Sequence, residues 1–408
     1  MNENFTTYAN SFQAVAKLRL EGITCLLEIL GNPHNKTKCI HIAGTNGKGS
    51  VCVFLQSILS ASGKKTGRYI SPEMLDIRER ITIDGEKISQ DNLDQLMATV
   101  KDAAEKASTT LGEMPTQFEI WTAAAFLYFY QQKCDIAVIE TGLGGTHDAT
   151  NVIEKPLFSI ITRIAMDHMN YLGDTLCDVA SAKAGIIKDG CPIVTLEQDE
   201  QAMKVITDAA KQSGCEIHLI SEAKSHLHQD IYEQFSYKNI ENISLGIGGY
   251  NQIENASLAI ETALALGISP EHIKEGLKKA NHIGRFEKLS EKIIFDGAHN
   301  PNGVTALIKN LERYYPQAKK TFICGFMEDK DLGGIFKLLS NYKDSDFYAF
   351  TVQGNPRAMK NIDIQKSAAK YGINMIAVNT VNDAIKKAAK DELVIICGSL
   401  YTYKDIKF

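Results

Sequence analysis

From His41 to Val51 the chain reads HIAGTNGKGSV: an apolar lead, then three glycines, a lysine and a hydroxyl. Those types at that spacing suit phosphate. Glycines let a turn curl so that successive N–H groups face an anion, and a helix starting near Ser50 adds its partial positive end. Lys48 can reach terminal phosphates, and the Ser50 hydroxyl can ligate magnesium. The stretch departs from the standard G-x-x-x-x-G-K-[ST] loop. Gly49 follows Lys48, the hydroxyl waits until Ser50, and Gly44 stands closer to the lysine. The competing reading is an ordinary glycine-rich strand-to-helix turn; the lysine and serine after a clean strand favour nucleotide.

Four further stretches carry candidate chemistry. In DIAVIETGLGGTHDATN an apolar strand ends at Glu140, where a magnesium-holding acid belongs beside a phosphate loop. Asp148 and Asn151 of the same loop serve either to orient a substrate or simply to form the turn. In ITRIAMDHMNYLGDT another apolar strand is expected to end in Asp167-His168, at the same sheet edge as Glu140. Lys183 lies in ASAKAGIIK, a small-residue helix in which spacing alone does not single it out. In FDGAHNPNG, Asp296 and His299 follow a strand; with Arg285 in GRFE they are placed to close over a nucleotide.

These groups need a frame. KCIHIA, KTGRYI, CDIAVIE, LFSIITRI and CPIVTL read as strands alternating with helices such as SVCVFLQSILSASG and QFEIWTAAAFLYFYQQK. That alternation predicts an α/β chain with a parallel sheet covered on both faces. From about Ser213 to Asn251 the order lapses into a predicted β hairpin or meander. A fresh strand–turn–helix begins beyond Gly284 and continues through KTFICGF, DFYAFTV, NMIAV and LVIICGS, a smaller Rossmann-like unit. The predicted division is 1–287 and 288–408.

The 408 residues suggest two or three domains. With 44% hydrophobic and 23% charged residues, the chain has the composition of an ordinary globular protein. A net charge of -5 without a basic block disfavours nucleic acid. Nine scattered cysteines, without C-x-x-C or zinc spacing, read as free thiols in a reducing compartment. MNENFTTYANSF lacks the pattern of a signal peptide, and no apolar run approaches the ~20 residues of a membrane span. The expectation is a cytoplasmic protein.

The motifs GTNGKGS, ERITI, FEIWTAAAF, ETGLGG, DATN, DHMNYLGDT, KAGIIK, GRFE, DGAHNP and GSLY occur in this order. Together they resemble the dihydrofolate synthase/folylpolyglutamate synthase family of Mur-type amide ligases, from about Leu30 to the C-terminus. The resemblance implies a P-loop ATPase domain followed by a Rossmann-like domain. It also implies ATP-dependent joining of glutamate to a pteroate or folate carboxylate. It assigns phosphate binding to Gly44, Thr45, Asn46, Gly47, Lys48, Gly49 and Ser50, and further nucleotide contacts to Asn255, Arg285, Asp296 and His299. Ser50, Glu140, His168 and Lys183, the last as a carbamate, look like ligands of two magnesium ions. Lys48, Lys183 and His168 are the catalytic candidates, while Phe118, Asp148 and Ala149 fall where the pterin-bearing substrate sits. The resemblance suggests a monomer with small-molecule partners only.

The chain departs from the family pattern at Thr146-His147, where Arg-Leu usually precedes DATN. It departs again at Ala182 (usually Glu), at Asn251 (usually His) and at Glu73, where SPEM replaces SPHL. These changes leave Lys48, Glu140 and His168 in place and bear on the pterin contacts and on Lys183. A ligase of the same type acting on another carboxylate is the alternative they leave open.

Overall fold

The computed structural model describes residues 19–388 and 392–407. The stretch MNENFTTYANSF, on which the signal-peptide expectation falls, lies outside them. Among the described residues no helix is long and apolar enough to cross a membrane.

The chain divides into two compact units. The first comprises residues up to 164, 174–222 and 254–279; the second comprises 165–173, 223–253 and 280–408. The polypeptide therefore passes from one unit to the other several times, a feature that no local sequence pattern announces.

In the first unit the strands are β1 (Lys38–Ala43), β2 (Thr66–Tyr69), β3 (Ile81–Ile83), β4 (Glu86–Lys87), β5 (Ile136–Glu140), β6 (Phe158–Ile161), β7 (Ile193–Thr195) and β8 (Ile217–Leu219). They form one sheet in the order β4-β3-β2-β5-β1-β6-β7-β8, parallel from β2 to β8, with β3 and β4 antiparallel at one edge. The central strands β1, β5 and β6 are buried almost throughout, so they read as continuous apolar runs and not as alternating ones. Ile42 pairs with Glu140 on one side and with Ile160 on the other. This register brings the end of β5 level with the start of the glycine turn.

Helix Lys48–Ala61 follows that turn and is buried along most of its length. Helix Pro270–Lys279 crosses it closely. A Cβ on Gly276 would come within 2.4 Å of the Ile58 backbone, and Ser57 Oγ donates to the Gly276 carbonyl at 2.7 Å. Helix Gln117–Gln131 opens with a capping box, Thr116 with Glu119, and carries Trp121, Phe126 and Phe129 into an apolar cluster of the first unit.

The second unit holds two sheets. The expected meander is a three-stranded antiparallel sheet of β9 (Lys224–Gln229), β10 (Tyr232–Tyr237) and β11 (Ile240–Ser244). The other sheet contains β12 (Glu287–Ser290), β13 (Ile293–Phe295), β14 (Lys320–Cys324), β15 (Asp346–Ala349), β16 (Met375–Ala377) and β17 (Leu393–Cys397), in the order β12-β13-β17-β14-β15-β16. β13 to β16 run parallel, and β12 is antiparallel. Glu233 of β10 is fully buried, its charge met by Arg313 Nε at 2.6 Å and by the Tyr314 hydroxyl at 2.5 Å.

Candidate functional site

In the first unit the loop between β1 and helix Lys48–Ala61 is shaped by two glycines in a backbone region that side chains rarely adopt. Gly44 has φ +152° and Gly47 φ +96°. A Cβ on Gly44 would lie 1.8 Å from Thr162 Oγ1, and one on Gly47 would lie 2.3 Å from Asn255 Oδ1. The second contact places Asn255 against the loop. The far side is tied to the segment just after β6. Thr45 and Asn46 donate their amides to the Arg163 carbonyl at 2.9 and 3.2 Å, and Thr162 Oγ1 donates to the Asn46 carbonyl at 2.8 Å.

Two ammonium groups rest on this loop. Lys48 Nζ donates to the Gly44 carbonyl at 3.1 Å and stands 4.0 Å from Glu140 Oε1. Lys183 Nζ donates to the same carbonyl oxygen at 2.9 Å and is 4% exposed. Sequence reasoning could not bring Lys183 here, 139 residues from Gly44 in the chain. Two cations converging on one carbonyl beside a helix N-terminus concentrate positive charge where a phosphate chain would lie.

Glu140 ends β5, buried, with one carboxylate oxygen accepting the Ser71 amide at 3.1 Å. Ser50 is buried in the first turn of the loop helix. A hydroxyl and a carboxylate, completed by phosphate oxygens and water, match the oxygen preference of magnesium. Lys183 offers oxygen only after carbamylation; as an ammonium it cannot ligate. Among the described residues no group of three or more His, Cys, Asp and Glu side chains forms a ready metal cage.

Beyond β5, the acceptor-side candidates Asp148 and Ala149 share one loop, while Phe118 faces it from helix Gln117–Gln131. Asp148 is buried and its carboxylate takes bonds from Leu143 N at 2.8 Å, Thr150 N at 3.0 Å and Thr150 Oγ1 at 2.5 Å. Burial pushes its carboxyl above the ordinary aspartate value, against the pull of those hydrogen bonds. The side chain thus shapes the loop that contains Ala149. Thr150 Oγ1 also meets His41 Nε2 at 2.7 Å, and burial depresses that imidazole to about 3. Since the threonine hydrogen goes to Asp148, His41 carries its proton on Nε2 and is neutral. Asn151 Nδ2 donates to the Thr146 and Gly185 carbonyls at 2.9 and 3.1 Å. Phe118 closes against Gly142, where a Cβ would meet its ring at 2.4 Å.

One expectation is corrected. The strand in LFSIITRI ends at Ile161, not at Asp167-His168. The intervening residues form a loop, and 165–173 belongs to the second unit. The runs SIITRI and AMDH lack a turn residue between them, so the pattern gave no sign of the break.

In that second unit Asp167 is the focus. Asn300 Nδ2 donates to it at 2.9 Å, Lys330 Nζ at 2.9 Å and the His168 amide at 2.9 Å; His299 Nε2 stands 3.4 Å away. Burial alone would raise the Asp167 carboxyl. The bond from His299, with the charges of His299, His168 and Lys330, outweighs it and holds the acid well below the usual range. His168, in a left-handed backbone conformation at φ +53°, is lowered to about 4, first by burial and then by Lys330. It is therefore neutral near pH 7, the form in which imidazole ligates metals. His168, Asp167, Asn300, Asp329 and neighbouring residues line a small cavity of about 50 Å³. Asp296 directly follows β13; its carboxylate accepts the Phe286 and Ala298 amides at 2.9 and 2.8 Å, with Arg285 close enough to favour its charge.

Residues 42–263 match the Mur ligase middle domain, and residues 284–400 match the Mur ligase glutamate ligase domain. The dihydrofolate synthase/folylpolyglutamate synthase of Bacillus subtilis (strain 168) is 36% identical over 403 residues, covering 94% of this chain and 92% of its own. The chain belongs to the dihydrofolate synthase/folylpolyglutamate synthase family of Mur ligases. Membership makes it an ATP-dependent ligase. Among solved structures, Mycobacterium tuberculosis folylpolyglutamate synthase complexed with ADP and AMPPCP superposes with a TM-score of 0.88 at 26% identity, over 98% of this chain and 96% of that one. An FPGS–AMPPCP–folate complex superposes with a TM-score of 0.87 at 32% identity, over 98% and 97%.

Within this ligase the sequence reading passed over Lys330, Asp329 and Asn300. The available signal was MEDKD, two residues beyond β14: an acid–lysine–acid run at the carboxyl edge of a parallel strand, where open α/β sheets place ligands.

Proposed function

We propose that this ligase joins L-glutamate to dihydropteroate, making dihydrofolate, and extends folates with further glutamates, through an acyl phosphate. The observation that carries the proposal is the Gly44–Ser50 loop with Lys48 and Lys183 converging on it next to Glu140. The names of the relatives, which specify dihydrofolate synthase and folylpolyglutamate synthase, support the choice of substrates.

A carboxylate does not condense with an amine in water because oxide is a poor leaving group. Here an acceptor carboxylate oxygen attacks the γ-phosphorus of ATP and ADP leaves. The glutamate amine then attacks the acyl carbon, loses a proton, and phosphate departs with the former carboxylate oxygen. Two anions must meet, so the site's main task is positioning and charge neutralisation. The loop amides and Lys48 hold the phosphates. Lys48 exchanges the Gly44 carbonyl for phosphate oxygen when nucleotide enters. On the family resemblance we assign further nucleotide contacts to Asn255, Arg285, Asp296 and His299, and Phe118 with the Asp148-Ala149 loop receives the pteroyl group. Magnesium, when bound, neutralises the phosphates; Ser50 and Glu140 are its best-fitting donors, His168 adds a nitrogen, and Lys183 contributes once carbamylated.

In sequence terms we assign the ATP-binding half to 1–287 and the glutamate-ligase half to 288–408. We further propose a cytoplasmic monomer whose partners are small molecules. The test is phosphate release from ATP in a matrix of dihydropteroate, dihydrofolate and tetrahydrofolate, each with and without glutamate. Release that requires both acceptor and glutamate is expected. Glutamate-independent release alone contradicts the proposal, and failure with dihydropteroate only removes its first half.

A further inference from the structure

The segment from Ser71 to Arg80 links the two halves of the first unit's chemistry. It begins at the Ser71 amide bonded to Glu140 and ends at Arg80, next to β3. Its acids are each committed. Glu79 accepts the Met74 amide at 2.8 Å and the Asp76 amide at 3.2 Å, and Asp76 pairs with Arg78. Glu73 takes Arg80: Nε donates to Oε2 at 2.6 Å, with the side chains 13% (Arg80) and 27% (Glu73) exposed.

Arg80 stands among the groups assigned to the acceptor. Its guanidinium carbon lies 5.8 Å from the Trp121 ring centroid. It lies beside the Tyr69 hydroxyl, which also feels the charge of Asp148. The Tyr69 ring is 6.0 Å from Phe118. A guanidinium in such a wall is a natural partner for an acceptor carboxylate. Paired with Glu73, it presents no net charge.

We propose that Glu73 is a specificity-determining residue which, by occupying Arg80, removes the advantage that acceptors with several carboxylates would otherwise enjoy. The inference rests on the pteroyl-acceptor reading above. Each added glutamate gives the acceptor one more carboxylate. A neutral Glu73–Arg80 pair therefore tunes the ligase toward short acceptors, whereas an unpaired Arg80 would draw in longer ones.

The chain has a single tryptophan, Trp121. Its fluorescence reads acceptor binding without turnover. The experiment titrates pteroate, pteroylglutamate and pteroyltriglutamate, which carry one, two and four carboxylates, into the full chain and into Glu73→Gln. Glutamine keeps the shape and an acceptor for the Arg80 hydrogen bond. The wild type should bind the three compounds with similar Kd. Glu73→Gln should tighten the triglutamate by about three- to tenfold, the scale of one partly screened charge interaction, and pteroate by less. The gain should shrink at high salt and vanish in Glu73→Gln/Arg80→Gln. An unchanged Kd series in Glu73→Gln, or the same gain in the double variant, overturns the inference alone. Absence of binding by any pteroyl compound overturns the acceptor reading and the inference with it.

Discussion

The phosphate loop of the first unit and the Asp167 cluster of the second are both rich in charge, yet they are built in opposite ways. The loop is made of backbone. Its shape comes from Gly44 and Gly47, and its two lysines bond to a carbonyl oxygen that a phosphate can replace. The cluster is made of side chains. Asp167 holds Lys330 and Asn300, faces His299, and leaves only 8% of its side chain exposed. The loop sets its two lysines on a backbone carbonyl that a ligand can displace, whereas the cluster spends much of its charge on itself. Substitutions should therefore act on turnover in the first region and on stability in the second.

The largest effect is expected at Lys48. Lys48→Ala should lower ATP-dependent turnover by about a hundred- to a thousandfold, the usual cost of losing one transition-state donor, with the thermal midpoint little changed. Equal loss of stability and turnover would erase the contrast between the regions. Lys330→Met should instead destabilise the fold by about 2–3 kcal/mol in urea unfolding. That is less than the cost of breaking an isolated buried pair, because Asn300 and the His168 amide still serve Asp167. Asp167→Asn combined with Lys330→Met should recover part of the loss. Strict additivity would show that the pair is not coupled.

Acid separates the regions by another route. The folded-state pKa of His41 is depressed to about 3 from 6.5. The unfolded chain therefore binds more protons between those values. The stability this histidine contributes is complete above pH 6.5 and is lost as pH falls toward 3, at no more than about 1.4 kcal/mol per pH unit. His41→Gln should flatten that slope in unfolding measured at pH 7, 6 and 5. His168→Gln should remove a similar slope over a shorter window, because its imidazole is lowered only to about 4. The smallest effect is expected from Thr162→Val, which deletes one hydrogen bond to the Asn46 carbonyl. It should cost about 1 kcal/mol and raise KM for ATP several-fold while leaving KM for glutamate unchanged.

The same contrast governs what the sequence made legible. GTNGKGS was readable because glycine turn, lysine and hydroxyl are contiguous, and chemistry that is local in the chain leaves a local pattern. Glu140 was readable as the polar end of an apolar central strand, and the β9–β11 meander as a lapse in apolar order. The Asp167 cluster was not. It draws on 167–168, 299–300 and 329–330, three segments that only the fold brings together. The end of β6 at Ile161 was hidden as well, since SIITRI continues into AMDH with no glycine or proline to mark the break. Lys183 lay between these cases: the family resemblance singled it out, and its place on the Gly44 carbonyl depends on the packing of its helix against the loop.

The central claim is that this ligase activates the acceptor carboxylate by phosphorylation before glutamate attacks. The most direct measurement supplies dihydropteroate labelled with ¹⁸O in its carboxylate, together with ATP and glutamate, and weighs the phosphate released. The account predicts one ¹⁸O atom in each phosphate, carried over when the acyl phosphate breaks down. Phosphate released without label, alongside product that has formed, would contradict it.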